Sequence, residues 1–246
     1  MATQRTITMI VPVPVPPEAL AMFAAQIPDA LRRPDIHIEF VATRDGARIL
    51  DSHYELTLAD AFVLEAGVRA AEAGADAICI NSMSDSGLAA LRSRLDIPVI
   101  GPCQVTFLTA CMLGKRFSVL TMWKQWFPLY EKALTEQGLH HRLASIRSID
   151  VRPDAAELLA GKEDTVFAAL EEQARRAIAD DGADVIVLGS TTMHQSYDYL
   201  AERLPVPVLN PGLISLRLCE MFLDLGLGHS KATYPSPEVV NDAALQ

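Results

Sequence analysis

The chain has 246 residues, half of them hydrophobic and 6% aromatic, with a formal net charge of −10. That length admits one large domain or two of about 120 residues each, and the aliphatic content is ample for a core. The acidic balance, with no dense Lys/Arg cluster, argues against a nucleic-acid or anionic-membrane surface and leaves a small molecule as the expected partner.

Thr6 to Val11 (TITMIV) reads as a buried strand. Pro12, Pro14, Pro16 and Pro17 then force an extended loop at its carboxyl end. Glu18 to Leu31 reads as a helix, Ile36 to Ala42 as a second strand, and Arg44 to Tyr54 as a polar loop that brings His53 and Tyr54 within reach of a ligand. The Ala-rich spacing predicts a helix over Thr57 to Ala73, ended by Gly74. Ala77 to Ile80 is then a strand, Asn81 to Gly87 a turn, Leu88 to Leu95 a helix and Pro98 to Ile100 a strand.

Gly101 to Leu113 reads as a loop entering a helix, with Cys103 near the helix N-terminus, where the backbone dipole favours a thiolate. Cys111, two turns later, is expected in the core. Strands are predicted over Arg116 to Thr121, Ser145 to Val151 and Val185 to Leu188, and helices over Lys124 to Gly138 and Asp164 to Asp180. Pro153 to Gly161 reads as a loop with a short helix. Gly189 to His194 forms a turn, Gly212 to Leu225 a helix, and the tail is polar.

Two stretches repeat each other: Gly74 to Pro102 and Gly182 to Pro211. Each opens with Gly-Ala-Asp, runs through an apolar strand into a hydroxyl-rich turn, and closes on a Pro-Val strand. The spacing from Gly74 to Ser82 recurs from Gly182 to Ser190, and one residue is inserted before Pro207. The period is too long for a solenoid, so the expected architecture is α/β with two pseudo-symmetric halves. Each half would hold roughly four parallel strands flanked by helices, with the active site between the halves. The first half comprises 1–101 plus 211–246, and the second comprises 102–210.

Ligands of open α/β sheets bind at the carboxyl ends of the strands. That places Ser82 and Ser190 at the site, with Asn81, Met83, Ser84, Thr121, Gly189, Thr191, Thr192 and Pro12 as its lining. Turn amides and the helix dipole suit a carboxylate or carbonyl oxygen. There is no glycine-rich dinucleotide signature and no phosphate-loop lysine. The four cysteines, Cys79, Cys103, Cys111 and Cys219, have neither metal-ligand nor disulfide spacing. Cys79 and Cys219 read as buried small hydrophobes. No apolar run reaches the ~18 residues of a membrane span, and prolines break the Val11 to Pro17 stretch, so a cytoplasmic protein is expected.

These residues resemble the aspartate/glutamate racemase superfamily, and within it the hydantoin racemase branch. The resemblance rests on DSHYE at Asp51 to Glu55, NSMSDSGL at Asn81 to Leu88, LGKRFSVLT at Leu113 to Thr121, VIVLGSTTM at Val185 to Met193 and SKATYPSP at Ser230 to Pro237. It implies a cofactor-free enzyme and a homo-oligomer. In the family, one cysteine from each half works on opposite faces of a carbon next to a carbonyl; here Ser82 and Ser190 stand at both positions.

A thiol with a pKa of about 8.5 can be tuned into a base, whereas an unassisted serine hydroxyl is far weaker. The expectation is therefore altered chemistry: hydrolase or lyase steps on a hydantoin, a thiohydantoin or a small carboxylate. Cys103, His53 or His194 would then supply the acid/base function. Arylmalonate decarboxylases and maleate isomerases in the superfamily are an analogy for such a change. The alternatives are a racemase or epimerase with another acid/base pair, and a binding protein without catalysis.

Overall fold

The computed structural model describes residues 4–153 and 163–245. The helix expected within Pro153 to Gly161 falls almost entirely outside the described residues. The chain divides into two compact units. One comprises the chain up to Pro102 and again from Ser215, and the other is Cys103–Ile214.

The first unit is built on strands β1 (Arg5–Val11), β2 (Ile36–Ala42), β3 (Ala77–Ile80) and β4 (Val99–Ile100). They form one parallel sheet in the order β2-β1-β3-β4, with Ile7 opposite both Ile38 and Ala77. β3 is buried at all four residues, as expected of a strand covered on both faces. Helices α1 (Pro17–Ala25), α2 (His53–Glu72) and α3 (Leu88–Arg94) follow the strands. Val63, Ala66, Ala70 and Leu91 from the latter two pack on Ile10, Ile78 and Ile80.

The second unit repeats the plan. Strands β5 (Phe117–Thr121), β6 (Leu143–Ser148), β7 (Val185–Leu188) and β8 (Val208–Leu209) pair in the order β6-β5-β7-β8, again all parallel. Helices α4 (Pro102–Leu113), α5 (Phe127–Gln137), α6 (Glu163–Ala179) and α7 (Ser196–Arg203) belong to this half, apart from Pro102. Leu170, Ala174 and Ala177 of α6 and Leu200 of α7 pack with Leu120, Ile186 and Leu188. Helix α8 (Pro211–Leu225) carries the chain back to the first unit.

The repeated Gly-Ala-Asp has the same use in both units. Gly74 and Gly182 close the preceding helices with φ of 99° and 72°, in the region that favours glycine. Asp76 then accepts from the Thr6 N–H at 2.7 Å, and Asp184 from the N–H groups of Lys115 and Arg116 at 2.8 and 2.9 Å. Each aspartate thus ties the start of one strand to the start of the central strand.

Several expected boundaries are corrected. Glu18 to Leu31 is not one helix, because α1 ends at Ala25 and Pro28 leads into a separate 3-10 turn, Asp29–Leu31. Helix α2 starts at His53 rather than Thr57, because Ser52 is its N-cap and accepts from the Glu55 N–H at 3.3 Å. The segment from Lys124 begins as a 3-10 turn and becomes α-helical only at Phe127, with Pro128 in the first turn. Strand β6 lies two residues upstream of its expected start and three of its expected end. Cys111 is half-buried rather than core.

Candidate functional site

The turns after β3 and β7 carry the candidate serines and are built alike. Asn81 N–H donates to Ile10 O at 2.7 Å, and Gly189 N–H donates to Leu120 O at 2.8 Å, so each turn leaves the sheet tied to the central strand. The next residue is the serine. Ser82 Oγ accepts from the Ser84 N–H at 3.2 Å, and Ser190 Oγ accepts from the Thr192 N–H, also at 3.2 Å. The hydroxyl two residues on is paired as well: Ser84 Oγ donates to Ser82 Oγ at 3.1 Å, and Ser190 Oγ and Thr192 Oγ1 are hydrogen-bonded at 2.8 Å, where either hydroxyl can donate. In the first turn, Asn81, Met83, Ser84, Asp85 and Ser86 are buried and Ser82 is partly exposed. In the second, Gly189 and Thr191 are buried while Ser190 and Thr192 are partly exposed. In the first turn burial singles out Ser82 as the hydroxyl that can meet a ligand, and in the second it leaves Ser190 and Thr192 accessible together.

The first turn continues the hydroxyl chain inward. Ser84 Oγ also lies 2.8 Å from Ser86 Oγ, and both residues are buried. With an N–H and an O–H directed at it, Ser82 Oγ has its acceptor capacity filled, and its own proton is left to point elsewhere. Hydrogen bonds in such chains polarise one another, so Ser82 is a better proton donor than an isolated serine. The backbone that holds this chain is tight. Asp85 takes φ of 46°, and a Cβ on Gly101 would meet the Asp85 carboxyl carbon at 2.6 Å.

Around the second turn, His194 is half-buried and its Nδ1 lies 3.0 Å from Asn210 Nδ2. Asn210 Oδ1 accepts from the Gly212 and Leu213 N–H groups, capping α8, so its amide NH2 is the group that faces His194. Burial lowers the His194 pKa against an opposing pull from Asp198. The ring is therefore neutral near pH 7, with Nδ1 as acceptor and Nε2–H as a donor. Thr121, at the end of β5, is fully buried with its hydroxyl 2.8 Å from Tyr130 Oη, and Tyr130 donates to Gly189 O at 2.6 Å.

His53 is the exposed first residue of α2, and Thr57 Oγ1 donates to its carbonyl at 2.9 Å. Cys103 is the second residue of α4, fully buried, and close enough to Tyr130 to act on it electrostatically. Pro12 is buried just after β1. Cys79 and Cys219 are fully buried, with Cys219 Sγ donating to Ile78 O at 3.8 Å, and burial drives the Cys219 pKa well up. Among the described residues, no group of three His, Cys, Asp or Glu could hold a metal ion. Three residues that matter here were not singled out from sequence: Ser86, Tyr130 and Asn210. Asn210 was within reach, since Asn followed by Pro is the signature of an N-cap and first helical residue.

Comparison with known proteins gives this geometry a context. The family model described as Asp/Glu/Hydantoin racemase matches residues 18–219. A hydantoin racemase from Pseudomonas sp. (strain NS671) is 32% identical over 212 residues, covering 84% of this chain and 82% of that one. A hydantoin racemase from Rhizobium meliloti is 34% identical over 178 residues, covering 71% and 72%. Among solved structures, the allantoin racemase from Klebsiella pneumoniae has a TM-score of 0.86 at 28% identity, covering 96% of this chain and 95% of that one.

Proposed function

Because the chain belongs to the Asp/Glu/hydantoin racemase family, we propose that it is an isomerase acting on a small cyclic ureide of the hydantoin or allantoin class. It exchanges the proton on the ring carbon next to a carbonyl, with Ser82 and Ser190 as the paired groups. The observation that carries this reading is the duplicated serine turn: a partly exposed serine at the matched place in each unit, each accepting from the N–H of the residue two positions on. Sequence reasoning alone favoured hydrolase or lyase chemistry, on the weakness of serine as a base. The named relatives are racemases, which supports the isomerase reading over that one.

The chemistry asks for three things. The carbon must lose a proton, the adjacent carbonyl oxygen must be stabilised as negative charge builds on it, and a proton must return to the carbon. Turn amides and the Nε2–H of neutral His194 are suitable donors to that oxygen. Ser82, polarised by Ser84 and Ser86, suits the return of a proton. A serine takes the ring proton only as the alkoxide, after its own proton has left to solvent, so removal is the harder step and the reading favours ureides whose ring C–H is already acidified, such as 5-aryl hydantoins.

A proton NMR time course in D2O, with 5-substituted hydantoins and allantoin, tests the reading. Loss of the ring C–H signal without loss of substrate, together with loss of optical rotation, is the expected result. New product signals from ring opening or decarboxylation would replace it with the hydrolase or lyase reading. A ligand that binds without turnover would leave a binding protein.

A further inference from the structure

We propose that Tyr130 is a positioning residue of the Ser190 turn, fixing the Gly189–Ser190 peptide so that Ser190 presents its N–H to a carbonyl oxygen of the substrate. The inference rests on the isomerase reading for the identity of that oxygen, but its geometry stands within the second unit alone.

Tyr130 lies on α5 and is fully buried. Its hydroxyl has one proton, which goes to Gly189 O at 2.6 Å. The contact with Thr121 Oγ1 at 2.8 Å must then run the other way, with Thr121 donating to Tyr130. Burial pushes the Tyr130 pKa up, so the phenol keeps the proton that this arrangement needs. Gly189 is held on its other side too, since its N–H donates to Leu120 O at 2.8 Å. Both polar groups of this residue are thus fixed, one to β5 and one to α5.

A trans peptide is planar, with its C=O and N–H on opposite edges. Holding Gly189 C=O against Tyr130 therefore aims the Ser190 N–H away from Tyr130 and the core behind it. The fit also explains why residue 189 is glycine. A Cβ there would stand 2.7 Å from Tyr130 Oη, 2.9 Å from Thr121 Cβ and 3.1 Å from Leu120 O. The first turn is wired differently: Ser82 N–H folds back onto Ile80 O at 2.8 Å, and the residue before it is Asn81. The two serines are matched as hydroxyls, while the second turn is the one built to aim an amide.

The test is Tyr130→Phe, which keeps the ring and removes the hydroxyl. Two measurements are made on the full-length protein: the Ser190 amide resonance in 15N NMR without ligand, and D2O exchange kinetics on the hydantoin and allantoin panel. The expected result is a shifted Ser190 amide, with amides of the first unit unmoved. The same variant loses about 10- to 100-fold in kcat with KM little changed, the size of effect that small misplacements produce. An unmoved Ser190 amide overturns the proposal, as does a variant that melts earlier yet keeps wild-type kcat. Gly189→Ala is the second variant and should displace the same amide by crowding the phenol. If the wild-type protein turned over nothing in the panel, the isomerase reading would fall, while the amide shift would still decide the positioning claim.

Discussion

A serine can replace a cysteine in a proton-exchange site only if something compensates for its much higher intrinsic pKa. Ser82 has part of that compensation: it accepts from Ser84 N–H and Ser84 Oγ, and Ser84 in turn meets Ser86. Ser190 has less, one N–H and a hydrogen bond with the Thr192 hydroxyl in which either group can donate. Neither arrangement supplies a strong base. The double variant Ser82→Cys, Ser190→Cys should therefore raise the exchange rate on hydantoins with weakly acidic ring carbons, because a thiol near pKa 8.5 is partly ionised at pH 8. An increase of roughly tenfold or more in the D2O assay is expected; a serine-nucleophile hydrolase would gain nothing of this kind. The sequence made both serines legible, because they sit at matched places in a repeat. It did not make Tyr130 legible, since a tyrosine inside an amphipathic helix carries no mark of whether its hydroxyl ends in the core or at a turn.

Two motifs that carried the family resemblance turn out to hold elements in place. Glu55, in the segment DSHYE, accepts from the N–H groups of Arg48, Ile49 and Leu50 at 2.7, 2.7 and 2.9 Å while Ser52 caps the same helix. The Ser-x-x-Glu spacing at Ser52 is a helix-start signature, and weighting it would have placed the start of α2 at His53. The tail SKATYPSP secures α3, the helix that follows the Ser82 turn. Lys231 Nζ donates to the carbonyls of Arg92, Ser93 and Leu95 at 3.1, 3.1 and 2.7 Å, satisfying the helix C-terminus with a cation. Lys231→Ala should cost about 1–2 kcal/mol, read as a lower urea midpoint; an unchanged midpoint would show that water replaces the ammonium without loss. Beside it, His229 Nε2 accepts from the Val99 N–H at 2.8 Å. Burial, then the charges of Arg92 and Lys231, lowers its pKa from 6.5 to about 4. The neutral ring is the form that folding favours, so this contribution is complete above pH 6.5 and is lost as pH falls toward 4. The melting temperature should drop across that window, and His229→Gln, which stays neutral, should flatten the drop.

At the scale of the whole molecule, the duplication extends beyond the sequence match. Both sheets have one strand order, both central strands are anchored by the aspartate of Gly-Ala-Asp, and both serine turns hang from the end of a central strand. Periodicity in the sequence located these strands closely because each is a short apolar run between glycine and hydroxyl-rich punctuation. The α1 break at Pro28 and the late start of α5 were harder to see, because a proline can open a helix as readily as end one. The proposed reaction needs one group from each copy, on opposite faces of one carbon, and that requirement has a stereochemical consequence. In Ser82→Ala, Ser190, once its own proton has left to solvent, can still take the proton from the enantiomer that faces it, but only Ser190 remains to give one back, and after exchange with D2O it returns a deuteron to the same face. That enantiomer should lose its C–H signal in D2O without losing optical rotation, while the opposite enantiomer stays inert. In Ser190→Ala the two enantiomers should exchange roles. Inversion that persists in either variant, or washout of both enantiomers in both variants, would show that the two serines do not share one carbon between them.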